Sequence, residues 1–374
     1  MKFIVSSTAL TSRLSAISRV INSKNTLPIL DCFLFSVKDN VLTATASDGE
    51  NTIVTTVEIA EVEGEGSIAV GARTMLDALK EIPEQPLTFE VDTSTLEVNV
   101  EYLNGKYKLV GQNPDEFPRR VELNEDAISI EMDAATLLEG VTRTLFATAD
   151  DELRPVMNGV YFDLTEDNIT LVASDGHKLV RFRSTAAHAK SKAAFILPKK
   201  PAGQVKNLLT KELGTVQVGF DNRNAIFVME GYTMTSRLID GRYPNYNSVI
   251  PKENPCHLTA DRQLLLGAMK RVSVFASQAS SLVKLNLTRD QILVSAQDYD
   301  FSTSANETVV CQYDGNDMSI GFKATFLIDI LSNLPGEEVV MELADPSRAG
   351  ILTPAEQSET DDLLMLLMPM MLSD

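Results

Sequence analysis

His177, His188 and His257 are the only imidazoles in the chain. No two are spaced as metal ligands, and none stands in a pattern that marks a nucleophile with its base. The best catalytic pairing available is Asp175 with His177 in a loop, and a hydrolase built on it needs a further partner. Cys32, Cys256 and Cys311 are odd in number, far apart and free of any CxxC spacing. Neither a disulfide framework nor a structural zinc site follows, no activating partner marks a thiolate nucleophile, and a reducing cytosol is the expected compartment. No glycine-rich nucleotide loop follows a strand. These residues predict a chain with no catalytic centre, metal or cofactor.

Charge is the other chemistry on offer. Lys plus Arg number 33 against 52 Asp plus Glu, a net of −19, which argues against coating nucleic acid or a membrane with the whole exterior. Apolar spacing of three and four predicts helices over 8–24, 72–82, 134–147, 199–212, 260–275 and 323–334. Those segments hold 14 basic and 6 acidic residues, a surplus of +8 that leaves the rest of the chain at −27. If the helices share a surface, the protein has a basic lining and an acidic exterior. Such a lining attracts phosphates without reading sequence, and its binding falls with salt. With no tryptophan and no aromatic-rich helix, gripping single strands by stacking is disfavoured, leaving a duplex-compatible surface.

The elements that would position this charge repeat along the chain. Ala46-Ser47-Asp48-Gly49 and Ala173-Ser174-Asp175-Gly176 lie 127 residues apart, and a degenerate copy, Ala296-Gln297-Asp298-Tyr299, follows 123 later. Each trails an alternating apolar run, such as Ile169-Thr170-Leu171-Val172. Asp bonds its own backbone and Gly tolerates φ > 0, so one copy alone is only a turn; the spacing carries the information. Strand–helix pairs keep the same period, as in Ser67–Val70, Ala194–Leu197 and Met318–Gly321, each leading into an apolar helical stripe. The expected fold class is α+β: three domains, 1–124, 125–252 and 253–374, each with two helices packed on antiparallel sheets. The opening Met1–Ser6 turns polar too soon for a signal peptide, and no apolar run reaches membrane-spanning length. A repeat-built scaffold without nucleic acid remains open on these residues alone.

The landmarks, in order along essentially the whole chain, resemble the bacterial DNA polymerase III beta subunit family, the DNA sliding clamps. The resemblance is carried by Met1-Lys2-Phe3, Thr26-Leu27-Pro28-Ile29-Leu30, Ala173-Ser174-Asp175-Gly176-His177-Lys178-Leu179, Ser236 through Tyr246 with its Asp240-Gly241-Arg242-Tyr243-Pro244 core, Ile320-Gly321-Phe322 and Met368-Pro369-Met370-Met371-Leu372. It implies a non-enzymatic, cytoplasmic protomer that dimerises head to tail into a six-domain ring, helices inside, around double-stranded DNA. The implied partners are the replicative polymerase alpha subunit, the clamp loader, and other polymerases and repair proteins bearing short hydrophobic motifs, with no membrane.

By the same resemblance, a peptide cleft takes Met157, Ser174, Gly176, His177, Lys178 and Leu179 from the middle of the chain. Pro244 and Val249 come from the Tyr-Pro-Asn-Tyr stretch, and Leu366, Met368, Pro369, Met370, Met371 and Leu372 from the end. Flexible Met side chains suit repacking around several peptides. Met371 stands where the family often has Arg, and Ser373-Asp374 extend past its usual final Leu. DNA-facing residues are expected at Lys24, Arg73, Arg154, Lys199 and Lys200. Self-association is expected to bring Tyr107 and Leu109 of one protomer near Val274 and Phe275 of the other.

Overall fold

A computed structural model describes residues 1–209 and 214–372. Lys211 and Glu212 of the expected fourth helix, and the Ser373-Asp374 extension, lie outside the described residues. Six α-helices are seen among the rest: α1 Ser7–Ile17, α2 Ala72–Lys80, α3 Ala134–Thr144, α4 Lys199–Leu209, α5 Arg262–Ser273 and α6 Ala324–Asn333. Ser6 caps α1 by accepting from Ala9 N, and Asp261 caps α5 by accepting from Leu264 N at 2.8 Å. The first helix is shorter than expected. It passes into a 3₁₀ turn at Ser18–Val20, and the Asn25 side chain then bonds Asn22 O at 3.2 Å, a local bond that competes with helix. Lys24 therefore falls outside it. The described residues of the six α-helices carry ten basic and three acidic side chains, so the surplus persists.

Two compact units are formed by the chain. The first comprises Met1–Leu138 with Lys200–Leu238. It holds a five-stranded sheet with Gly105–Val110 at one edge and an eight-stranded sheet. The latter is made continuous by Asn51–Glu58 pairing with Tyr232–Arg237, from Thr55↔Tyr232 to Asn51↔Ser236. α1 lays Leu10, Leu14 and Ile17 into the core, and Phe3 stacks on Phe89 with ring centroids 4.9 Å apart.

The second unit, Glu139–Lys199 with Ile239–Asp374, is built on one twelve-stranded sheet. Lys178–Ser184 pairs with Asp361–Leu367, joining the middle of the chain to its end. Leu363 to Leu367 are all buried, as expected of a final strand, and α5 packs against α6. Every strand pair named here is antiparallel, which lets hairpins rather than long crossovers link neighbours.

The ladders correct the alignment of the third turn. Ser47↔Thr52, Ser174↔Leu179 and Asp298↔Thr303 are the last pairs before each turn. Asp298 thus takes the place of the two serines rather than of the two aspartates. Its chemistry agrees: Ser47 Oγ accepts from Gly49 N, Ser174 Oγ from Gly176 N, and Asp298 Oδ1 from Asp300 N, each two residues on. The equivalents of Asp48 and Asp175 are then Tyr299, and of Glu50 and His177, Phe301. The turns also differ in backbone. Gly49 and Gly176 have φ of +94° and +91°, whereas the third turn takes its positive φ, 53°, at Ser302.

Candidate partner cleft and nucleic-acid surface

The expected cleft residues from the middle of the chain centre on the second Ser-Asp-Gly turn. Asp175 Oδ1 accepts from His177 N and Lys178 N, both at 2.9 Å, and Ser174 Oγ donates to Lys178 O at 2.9 Å. Lys178 Nζ returns to Asp175 Oδ2 at 2.7 Å. Burial pushes the Asp175 carboxyl up, but the Lys178 ammonium and these backbone N–H groups outweigh it and hold the group below its ordinary value. Lys178 also lies 4.0 Å from Asp329 Oδ2 and 4.5 Å from the Phe326 ring centroid, both on α6. The His177 ring stacks on Phe326 with centroids 5.6 Å apart. Held this way, Asp175 and His177 form a scaffold and not an acid–base pair.

The end of the chain completes this wall. Met368 N donates to His177 O at 2.9 Å and Met370 N to Gly321 O at 2.8 Å, so the Met-Pro-Met segment is tethered by its backbone while its side chains stay available. Met368 and Met371 are exposed, and Pro369, Met370 and Leu372 half-buried. Pro244 and Val249 are exposed, and Gly176 and His177 face solvent. Leu179 and Leu366 pair across the ladder and belong to the buried core with Tyr243 and Tyr246, as supports beneath the surface. Met157 and Ser174 are buried too. Tyr161 stacks on Tyr243 at 4.6 Å, and Tyr246 donates to Asp163 Oδ2 at 2.8 Å. Burial and that carboxylate push the Tyr246 phenol up to about 12. Phe326 and Tyr161 had no mark in the sequence, and Tyr243 and Tyr246 were marked only as part of the 236–246 landmark. Phe326 could have been found as the aromatic lying off the Leu327, Ile330, Leu331 stripe of α6.

The basic residues divide by what they already hold. Arg73 is 96% exposed, its nearest carboxylate being Asp77 at 3.9 Å, and Lys24 is exposed. Arg154 binds Asp151 at 2.8 Å and Asp175 O at 3.2 Å, and Lys199 binds Asp150 at 2.5 Å. Lys200 donates to Val20 O, Asn22 Oδ1 and Asp48 Oδ2 at 2.8, 2.5 and 2.7 Å, which makes it a strut for the first Ser-Asp-Gly turn. Among the described residues, no group of three or more His, Cys, Asp or Glu side chains could hold a metal ion, and no helix is long and apolar enough to cross a membrane.

Two of the open strand edges bear on the expected self-association. Among the described residues, Gly105–Val110 pairs only with Glu97–Tyr102, and Tyr107 and Leu109 lie half-buried on it. Residues 303–310 of the strand Thr303–Tyr313 pair only with its hairpin partner, because the ladder to Cys256–Asp261 begins at Cys311. Val274, highly exposed, and Phe275 follow α5.

Comparison with known proteins agrees with this architecture along the whole chain. Residues 1–122, 131–245 and 247–371 match the N-terminal, central and C-terminal domains of the DNA polymerase III beta subunit. The chain is 26% identical over 373 residues to the beta sliding clamp of Pseudomonas putida, covering 100% of both. It is 29% identical over 349 residues to that of Proteus mirabilis, covering 92% of this chain and 94% of the relative. A crystal structure of the DnaN sliding clamp of Pseudomonas aeruginosa bound to griselimycin superposes with a TM-score of 0.94 at 26% identity, over 100% of both chains. The DNA polymerase III beta subunit of Thermotoga maritima gives 0.90 at 27% identity, again over 100% of both. Helices and antiparallel sheets recur in three matched domains along the chain, and the chain belongs to the DNA polymerase III beta subunit family, the beta sliding clamps.

Proposed function

We propose that this sliding clamp, a processivity factor with no catalytic activity of its own, closes into a head-to-tail homodimer around double-stranded DNA in the cytoplasm. Domains 1–124, 125–252 and 253–374 of each protomer supply the six segments of the ring. The observation that carries the reading is the segregation of charge: ten basic against three acidic side chains on the described helices of a chain whose net charge is −19. Lys24, Arg73, Arg154, Lys199 and Lys200 face the duplex, attracting its phosphates diffusely and without sequence preference. Retention comes from topology, so the contacts can be weak enough to slide.

The ring closes by adding the edge strand Gly105–Val110 of one protomer to residues 303–310 of the other, with Tyr107 and Leu109 packing near Val274 and Phe275. Among the described residues neither edge has a partner on its outer side, and exposed edges are templates for another chain. Two isologous patches would join two protomers only; two unlike edges permit a head-to-tail ring.

The cleft receives short hydrophobic peptides from the replicative polymerase alpha subunit, the clamp loader and other polymerases and repair proteins. Met157, Ser174, Gly176, His177, Lys178, Leu179, Pro244, Val249, Leu366, Met368, Pro369, Met370, Met371 and Leu372 form or support it. Loading the protein on circular duplex DNA and then linearising the DNA tests the ring. Stable retention on the circle and rapid loss from the linear form are expected; equal retention on both refutes topological linkage.

A further inference from the structure

Each of the first two turns is seated on the second helix of the following repeat. The helices begin at equivalent points, since Gly71, Pro198 and Lys323 close the ladders that precede them. In the first unit Asp48 meets Lys200, the second residue of α4, at 2.7 Å. In the second unit His177 stacks on Phe326, the third residue of α6, and Lys178 approaches Phe326 and Asp329, its third and sixth. Two faces of this series are left uncovered in the subunit. One is the third turn, where Tyr299 is 82% and Phe301 73% exposed. The other is the first turn of α2, where Arg73 and Thr74 are exposed at the positions Lys200 and Phe326 hold in the covered helices.

We propose that the turn Asp298–Ser302 of one subunit seats on the first turn of α2 in a second copy of the chain, with the Arg73 guanidinium stacked on Tyr299 and Phe301 packed over Thr74. The proposal rests on the head-to-tail reading above and names what that junction uses besides strand edges. Tyr299 occupies the Asp48 position, and Arg73 the Lys200 position, so the salt bridge of the first junction is replaced by a cation–π contact. Arg is well suited to this exchange because its planar face stacks while its N–H edge stays free for a phosphate. The Asp300 carboxylate adds charge complementarity to Arg73. Two exposed aromatics on one short turn are otherwise a standing cost in solubility, and they lie in the hairpin that ends at the open edge 303–310.

Dimer dissociation by sedimentation across a dilution series tests this on the full chain, with circular dichroism to verify folding. Tyr299→Ala and Arg73→Ala are each expected to weaken the dimer about tenfold, and Tyr299→Phe to leave it within about twofold, because the ring face is kept. The double variant is expected to cost little more than either single one, the signature of a direct contact. A parent dimer whose dissociation constant is unmoved by either alanine, or on which their effects simply multiply, overturns the contact while leaving the ring intact. Leu109→Asp separates the two readings, since it breaks the strand-edge contact whatever Tyr299 does. A parent chain that stays monomeric throughout overturns both.

Discussion

Lys178 Nζ sits 2.7 Å from Asp175 Oδ2, with 6% of the lysine and 16% of the aspartate side chain exposed. This nearly dry ion pair lies under the turn that presents His177, and it carries Lys178 onto the face of Phe326. Removing one partner strands the other charge. Lys178→Ala is therefore expected to lower the unfolding free energy by about 3 kcal/mol, read from the urea midpoint at constant slope. A shift indistinguishable from an exposed-site control argues that the turn does not depend on this pair.

Acid sensitivity follows from the same turns. At Asp48 and Asp175 burial opposes ionisation, but the lysine and backbone donors win and both carboxyls are held below the ordinary value. The folded state then binds their protons more weakly than the unfolded chain. Their stabilisation is complete above the ordinary carboxylate value of about 3.9 and is lost as pH falls through the lowered folded values. Asp329 has the opposite sign, because burial and then the Asp175 charge raise it against the pull of Lys178. Its contribution is present below the ordinary value and lost as pH rises through the raised one. Thermal melts across pH are expected to show Asp48→Asn and Asp175→Asn flattening the acid limb, and Asp329→Asn flattening the curve just above the ordinary carboxylate value. Interchanged behaviour contradicts the assignment.

Lys199 and Lys200 are adjacent yet unequal. Lys199 reaches one exposed carboxylate, whereas Lys200 satisfies three acceptors including Asp48, whose side chain is only 6% exposed. Lys200→Ala is expected to cost about 1–2 kcal/mol, moderated because Lys200 itself is partly solvated, and Lys199→Ala less than about 0.5 kcal/mol. Calorimetric midpoints for the two single variants check the order, and equal losses contradict the strut.

Peptide binding separates the rim of the cleft from its support. Deleting residues 368–374 removes the exposed Met side chains together with the backbone donors to His177 O and Gly321 O. Fluorescence anisotropy with a short Gln- and Leu/Phe-containing peptide is expected to show binding abolished in that variant while the dimer persists. Phe326→Ala is expected to weaken binding about tenfold by releasing the His177 ring, a loss in keeping with one aromatic contact. Undiminished binding after the deletion moves the site elsewhere.

The amino-acid sequence alone determined the triplicate strand–helix pattern, the α+β class and the concentration of positive charge on helices, because periodicity and charge are properties of residue order. It also marked the segments at 173–179, 240–246 and 368–372 as special. Tertiary structure decided what those residues do. Lys200 reads only as a phosphate contact, and folding also places it 2.7 Å from Asp48; Leu179 and Leu366 read as cleft residues, and the ladder pairs them in the buried layer. Phe326 had no motif and acquired its place only when α6 came to lie under His177. The third turn sits one residue away from where its Ala-x-Asp pattern puts it, since Asp can occupy either turn position and only the pairing Asp298↔Thr303 distinguishes them. Local order encodes which element forms, whereas the partner of a charged or aromatic side chain depends on segments that meet only after folding.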